Sequence, residues 1–378
     1  MNKLPDALVC CPAVYAVGKN YVITVPVRLY CYMWAKVGEN EYYDESNGVL
    51  CHSRLVHKIT VPMSELDAAK EYTLFWRLYP EMPESPGVAN YTFKFRPVDP
   101  AKEKLNFYHA GDVHGYTPEG VLAGRYFEAV GEDMDFLIFN GDIYSTSNKF
   151  DNYPLIHKMA GDITGGEIPV VLTRGNHELG GTAAGDYAEY MPVDEEGHCY
   201  YTFRLGPVWG IALDVGNDLP DGYYPGVYSD IFQEFRGEVT EWLEDLVNTD
   251  EPEYLEEGIK YRIIVCHVPF ATKTLPPRDV DVDLFKYWCK LFGEHIKPDF
   301  ILCAHKHIFR VSLPGDELDD RGQPCPVIIA TGLETMGEVH SIGCAMTLEG
   351  DTLVAKYTDD QYVVRDEATV ELKADYNK

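Results

Sequence analysis

The sequence predicts a chain in two parts: a small all-β sandwich over residues 1–100, then an α/β domain over residues 101–378 with helices on both faces of its sheet. Three features predict this. Alternating strands without helical periodicity open the chain, and short apolar runs alternate with helical stretches after them. Between the two lies a charged, proline-containing stretch, residues 96–104, with the composition of a linker. At about 100–200 residues per domain the chain length admits both parts, and 46% hydrophobic residues suffice for a sizeable core.

In residues 21–34 the odd positions Ile23, Val25, Val27, Leu29, Cys31 and Met33 are apolar, the period of a half-buried strand, bent near Pro26. Residues 71–79 alternate again, and Tyr91, Phe93 and Phe95 alternate with Thr92, Lys94 and Arg96. Several short strands without helices predict a sandwich of the immunoglobulin or fibronectin kind. Beyond the linker, residues 105–110, 135–140, 169–173, 209–213, 261–266 and 299–303 are short apolar runs, and residues 118–130 and 153–160 read as helices. Residues 281–292 place Leu284, Tyr287, Trp288, Leu291 and Phe292 at helical spacing, a stripe for packing against the core. From Pro326 onward strands return, with a hairpin turn at Glu349-Gly350-Asp351.

The net charge of −29 excludes a sequence-independent grip on nucleic acid or an anionic membrane, which needs Lys and Arg to release counterions. No run approaches the ~18 apolar residues of a membrane helix. The N-terminal apolar stretch is broken by Pro5 and Pro12 and preceded only by Lys3, a poor secretory signal. Ten cysteines, mostly single and without a CxxC pair, speak against a zinc ribbon or redox motif and predict free thiols in a cytoplasmic protein.

What ends each apolar run carries the chemistry. Residues 105–110 end in Gly111-Asp112-Val113-His114-Gly115, and residues 135–140 in Gly141-Asp142. Residues 169–173 lead into Arg174-Gly175-Asn176-His177-Glu178, residues 261–266 into His267, and residues 299–303 into Ala304-His305-Lys306-His307. In an α/β sheet ligands bind beyond the carboxyl ends of the strands, so these ends deliver Asp112, His114, Asp142, Asn176, His267, His305 and His307 to one rim. Oxygen and imidazole donors together suit Zn, Mn, Fe, Co or Ni. Seven exceed the need of one tetrahedral site, and two divalent metal ions sharing a carboxylate account for them. Each fragment alone reads as a turn residue or a surface histidine; the ordered set is the signal.

In these motifs the chain resembles the calcineurin-like metallophosphoesterase superfamily, whose pattern is D-x-H, G-D, G-N-H-D/E, H and G-H-x-H. The resemblance implies a two-sheet sandwich flanked by helices and a metal-dependent hydrolase of phosphate esters. It assigns Asp112, His114 and His307 to one metal, Asn176, His267 and His305 to the other, and Asp142 to both. His177 would face the phosphate and protonate the leaving oxygen, oriented by Glu178 or a nearby acidic group. It implies attack by a metal-held hydroxide on a small-molecule phosphate monoester; a small diester is the alternative, and a non-enzymatic binding module the remote one. A β-sandwich ahead of the catalytic part is similar to the purple acid phosphatases. That branch has Tyr three residues after the bridging Asp, where this chain has Ser145, and D-x-G where it has His114, which implies an ordinary divalent pair. Ala304 stands in place of the Gly before His305. The protein Ser/Thr phosphatases continue the second motif to an Arg that is absent here, and the two-domain 5′-nucleotidases need a larger C-terminal part than follows His307.

Other polar residues have plainer readings. Asp214 and His109 read as turn and core residues, Cys266 as a buried small side chain, and Arg174 as a partner of an acidic group or of the site. His340, in a glycine-rich turn, and the loop tyrosines Tyr223, Tyr224 and Tyr228 are candidates to reach the cleft.

Overall fold

In the first part of the chain β1 (Ala13–Val17), β2 (Asn20–Val37), β3 (Asn40–Tyr43) and β4 (Arg54–Pro62) lead to a short helix, α1 (Met63–Ala69), and on to β5 (Glu71–Leu78) and β6 (Ala89–Lys94). Next come β7 (Lys104–Ala110), α2 (Pro118–Gly124), α3 (Tyr126–Ala129), β8 (Phe136–Asn140), α4 (Asn152–Thr164), β9 (Pro169–Thr173) and α5 (Tyr187–Tyr190). They are followed by β10 (Tyr201–Leu205), β11 (Val208–Leu213), α6 (Phe232–Val247), β12 (Tyr261–Cys266), α7 (Val282–Leu291) and β13 (Phe300–Cys303). The last elements are β14 (Phe309–Ser312), β15 (Val327–Ala330), β16 (Ile342–Glu349), β17 (Thr352–Asp359) and β18 (Val364–Glu371). The computed structural model describes residues 3–45, 53–79, 87–145, 152–224, 231–332 and 341–373. Tyr228 and His340 lie outside the described residues.

Two sheets pack face to face. One runs β18-β17-β16-β7-β8-β9-β1-β2-β5-β6, with β3 and β4 also on β2; the other runs β10-β11-β12-β13-β15-β14. The period of two in the second sheet shows the layering. Phe203, Ile263, Val265, Phe300 and Leu302 join the core shared with the first sheet. Their neighbours Trp209, Ile211, Ile264, Ile301 and Cys303 turn to the opposite face, under Val239 and Leu243 of α6 and Phe285 and Trp288 of α7. On the outer side of the first sheet Ala123, Phe127, Tyr153, Ile156 and Ile163 of α2, α3 and α4 join the same core. The expected α/β class, with two sheets and flanking helices, is the observed one.

The strands of residues 1–100 are continuous with the rest, where a separate sandwich was expected. β1 pairs in parallel with β9, Val14 opposite Pro169 and Tyr15 opposite Val170. The reason is its sequence: AVYAV is apolar throughout and buried on both faces, as an interior strand of a covered sheet is. Tyr15 and Ile23 therefore share one core with Phe107 and Phe136. The bend near Pro26 is present, as a register shift between β2 and β4 from Pro26 to Cys31. It turns the intervening residues outward, so Leu29, expected on the buried row, is 59% exposed.

Two further differences have local causes. The stretch 118–130 forms two helices, because Arg125 leaves the helical region (φ −93°, ψ 19°) after a first turn capped by Thr117. Helix α6 was not expected, its apolar stripe of Phe232, Val239, Leu243 and Val247 being diluted by Glu234, Glu238, Glu241, Glu244 and Asp245.

Candidate metal centre

β7, β8 and β9 are parallel neighbours in one sheet, and β12, β13 and β15 in the other. Their carboxyl ends meet at one rim. The loops leaving them turn sharply, and Asp112, His114, Asp142, His305 and His307 all hold left-handed backbone, with φ of 52°, 57°, 52°, 71° and 52°. For residues other than glycine this conformation costs about 1–3 kcal/mol each and collects at functional sites. Close approach explains the glycines beside them. A Cβ on Gly175 would stand 2.2 Å from Asp142 Oδ1, and one on Gly141 2.6 Å from the Nδ1 of His267.

The donors fall into linked groups. The Nε2 atoms of His114 and His307 lie 3.3 Å apart, and the latter is 3.4 Å from Asp112 Oδ1. That Oδ1 is buried and has no hydrogen-bond partner among the described residues, while Asp112 Oδ2 accepts from the backbone N–H of His305 at 2.7 Å and from the Thr331 hydroxyl. On the other side the Nε2 of His267 is 3.2 Å from Asp142 Oδ2 and 3.2 Å from Asn176 Oδ1. Its Nδ1 donates to the Asn140 carbonyl at 2.7 Å, which leaves Nε2 facing the cluster. Ligand atoms of Asp112, His114 and His307 lie within 4.8 Å of one another, as do those of Asp142, His267 and His305, and those of His114, Asp142 and His177.

The charge balance at the rim follows from this crowding. Burial draws His267 towards its neutral form, yet the Asp142 and Asp112 carboxylates outweigh it and lift the imidazole to about 10. Burial works against the ionised Asp142 as well, but His267 holds it well below the usual carboxylate range. His114 and His305 are both lowered, chiefly by burial. An orphaned buried carboxylate oxygen, two imidazole nitrogens face to face and an amide oxygen turned inward form a donor set that fits divalent cations.

The calcineurin-like phosphoesterase pattern matches residues 105–309, more than half of the chain. The chain belongs to the calcineurin-like phosphoesterase family. It is a metal-dependent hydrolase acting on phosphate esters. The fold is similar to a purple acid phosphatase from yellow lupin (Lupinus luteus) seeds, at 14% identity and a TM-score of 0.61, over 95% of this chain and 74% of that one. Weaker likenesses are to GAP50 of Plasmodium (14% identity, TM-score 0.46, 72% of this chain and 90% of that one) and to a 5′-nucleotidase of Candida albicans (16% identity, TM-score 0.35, 75% and 55%). No curated protein matches the chain.

In this phosphoesterase Glu178 stands beneath the centre. Its carboxylate accepts from the backbone N–H of Asp142, Ile143 and Gly175 at 2.8 Å each, and from that of Tyr144 at 3.4 Å. Burial, with Asp142 second, pushes it up to about 7. It braces the loop of Asp142, while the His177 ring is held through Nδ1 by the Ser145 carbonyl at 2.5 Å. His177, expected to be oriented by Glu178 or a nearby acidic group, meets a backbone oxygen on that nitrogen. The His177 Nε2 points towards Asp142 Oδ2, 3.8 Å away.

A cavity of about 320 Å³ opens over Asp142, Asn176, His177, His305 and His307, walled by Leu219 and Tyr224. Arg278 and Lys306 also line it, and both pair with Asp218, the lysine at 3.2 Å. Asp218 is buried and takes a hydrogen bond from the Nε2 of His305 at 2.9 Å. Sequence reasoning missed Asp218, Arg278 and Thr331. Thr331 directly follows an apolar run, as His267 does, and the strand-end rule would have found it. Asp218 and Arg278 sit in loops whose sequence gives no spacing signal. Arg174 is committed to Asp214 at 2.6 Å, and His109 is buried behind the rim against Asn140. Among the described residues no helix is long and apolar enough to cross a membrane.

Proposed function

We propose that this phosphoesterase binds two divalent metal ions and hydrolyses small phosphate monoesters. Asp112, His114 and His307 would hold one ion and Asn176, His267 and His305 the other, with Asp142 reaching both. The observation that carries this reading is the place of Asp142, whose carboxylate groups with His114 on one side and with His267 and His305 on the other. When bound, such ions lower the pKa of water towards neutrality and offset charge on phosphoryl oxygens.

The protein's own residues supply the rest. The Ser145 carbonyl at His177 Nδ1 leaves Nε2 directed into the cavity, where its protonated form donates to the leaving oxygen. Arg278 and Lys306 put permanent positive charge in a small cavity of an otherwise acidic protein. That favours a dianionic monoester over a singly charged diester, and a small molecule over nucleic acid.

The test is elemental analysis of the purified chain together with parallel assays on p-nitrophenyl phosphate and its bis ester, with Mn, Zn, Fe, Co or Ni added. Two equivalents of metal and preference for the monoester are expected; a preference for the bis ester overturns the substrate assignment. His177→Ala should keep its metals and lose about 10²–10⁴-fold in turnover. Collapse of metal content in that variant would make His177 a ligand.

A further inference from the structure

We propose that Arg278 is a phosphate-binding residue, whose guanidinium leaves Asp218 for a phosphoryl oxygen of the incoming ester. This rests on the reading of the cavity as a phosphoesterase site. The second motif, Gly141-Asp142, continues into Ile143 and Tyr144, both buried, so the loop of the bridging carboxylate presents no guanidinium to the cavity. Arg278 brings one from a different loop, between β12 and α7. Its Nη1 lies 3.2 Å from the Nε2 of His305 and bonds to Asp218, and it lines the same cavity as His177 and Asp142.

The chemistry of that contact points to an oxyanion ligand. A guanidinium fork matches carboxylate and phosphate alike, so Asp218 occupies the donors that a phosphate would take. The two partners differ in freedom. The Asp218 side chain is 3% exposed and also held by His305 and Lys306, whereas Arg278 is 44% exposed, at the mouth of the cavity. Exchange therefore moves the arginine and leaves the carboxylate paired with Lys306. Lys306 is a point charge on the same carboxylate and lacks the fork, so Arg278 carries the geometric selection.

The loop is built to hold the residue in place. The Thr274 hydroxyl donates to the Arg278 carbonyl at 2.9 Å, and the Arg278 N–H donates to the Leu275 carbonyl at 2.9 Å. With its backbone tied and its guanidinium half-exposed, Arg278 reaches the cavity by turning its side chain alone.

The experiment is calorimetric binding of inorganic phosphate to the Mn-supplemented chain, for wild type, Arg278→Ala and Arg278→Lys, with metal content measured on each. Arg278→Ala should weaken phosphate binding roughly ten- to hundredfold, the loss expected for a hydrogen bond to a charged group. Arg278→Lys should recover only part, and metal content should stay at the wild-type level. Phosphate affinity within twofold of wild type in Arg278→Ala overturns the proposal, as does full affinity in Arg278→Lys for the fork. Weaker phosphate binding in a chain whose wild type hydrolyses no ester would leave Arg278 assigned and remove the monoesterase reading instead.

Discussion

The Nε2 atoms of His114 and His307 face each other across 3.3 Å, although the two residues are 193 positions apart in the chain. One proton can lie between two such nitrogens, but Asp112 Oδ1, 3.4 Å from His307 and without a hydrogen-bond partner among the described residues, converges on the same region. Lone pairs that converge in this way repel one another until a cation occupies the space between them.

Divalent ions should therefore stabilise the fold. At a hundredfold excess over its dissociation constant one ion adds about 2.7 kcal/mol to unfolding. His307→Ala should lower the bound metal and lose part of that stabilisation, read by elemental analysis and by the melting temperature with and without Mn. Unchanged metal content in the variant would remove His307 from the centre.

Glu178→Gln tests the brace under Asp142. The carboxylate takes amide N–H groups on both oxygens, and the glutamine amide offers one acceptor. Hydrogen bonds to a charged group are worth about 1.5–3 kcal/mol each, so a loss of at least about 2 kcal/mol in a denaturant titration is expected. His177 is held by Ser145, so the stability loss, rather than a loss of turnover at full stability, is the expected signature. A large loss of turnover with unchanged stability would return Glu178 to the role of orienting His177.

Asp218→Asn tests the support of His305. The carboxylate accepts from its Nε2 at 2.9 Å, which leaves Nδ1 for the cluster. Partners of this kind typically contribute about 10–100-fold in metal affinity. Competition with a chelator should show that weakening for the ion held by His305, with the fold intact by circular dichroism. An affinity equal to wild type would make Asp218 a partner of Arg278 and Lys306 alone.

His157 predicts an acid-sensitive fold. The ring is buried among Tyr15, Thr24 and the Tyr190 carbonyl, with Lys58 nearby, and burial lowers it from 6.5 to about 4. The folded value lies below the unfolded one, so its contribution is complete above about pH 6.5 and is lost as pH falls towards 4. At about 1.4 kcal/mol per unit this amounts to roughly 3 kcal/mol at most. Denaturant titrations at pH 7 and pH 4.5 should show a larger loss in wild type than in His157→Gln. Equal losses would assign the acid sensitivity to other groups.

The strand ends were legible because a buried strand is a run of apolar residues, and a polar residue directly after one stands at the rim. That rule reached Asp112, Asp142, Asn176, His267 and His305 in their order. It did not reach Asp218 or Arg278, which depend on where two loops cross in space. Nor did it reach the role of Glu178, whose neighbours in sequence are His177 and Leu179 but whose partners are the amides of Asp142 and Ile143. The run Ala13–Val17 is illegible for a similar reason: an interior strand shows no alternation, and its place beside β9 is decided by pairing across more than 150 residues.

By itself the sequence determined the chemistry of this protein, because metal ligands are particular side chains and their order along apolar runs is written in one dimension. Tertiary structure decided which nitrogen of each histidine faces the cluster, what braces Asp142 and which cations line the cavity. Those are matters of contact between distant segments, set when two sheets close on one another, and no local pattern of residues encodes them.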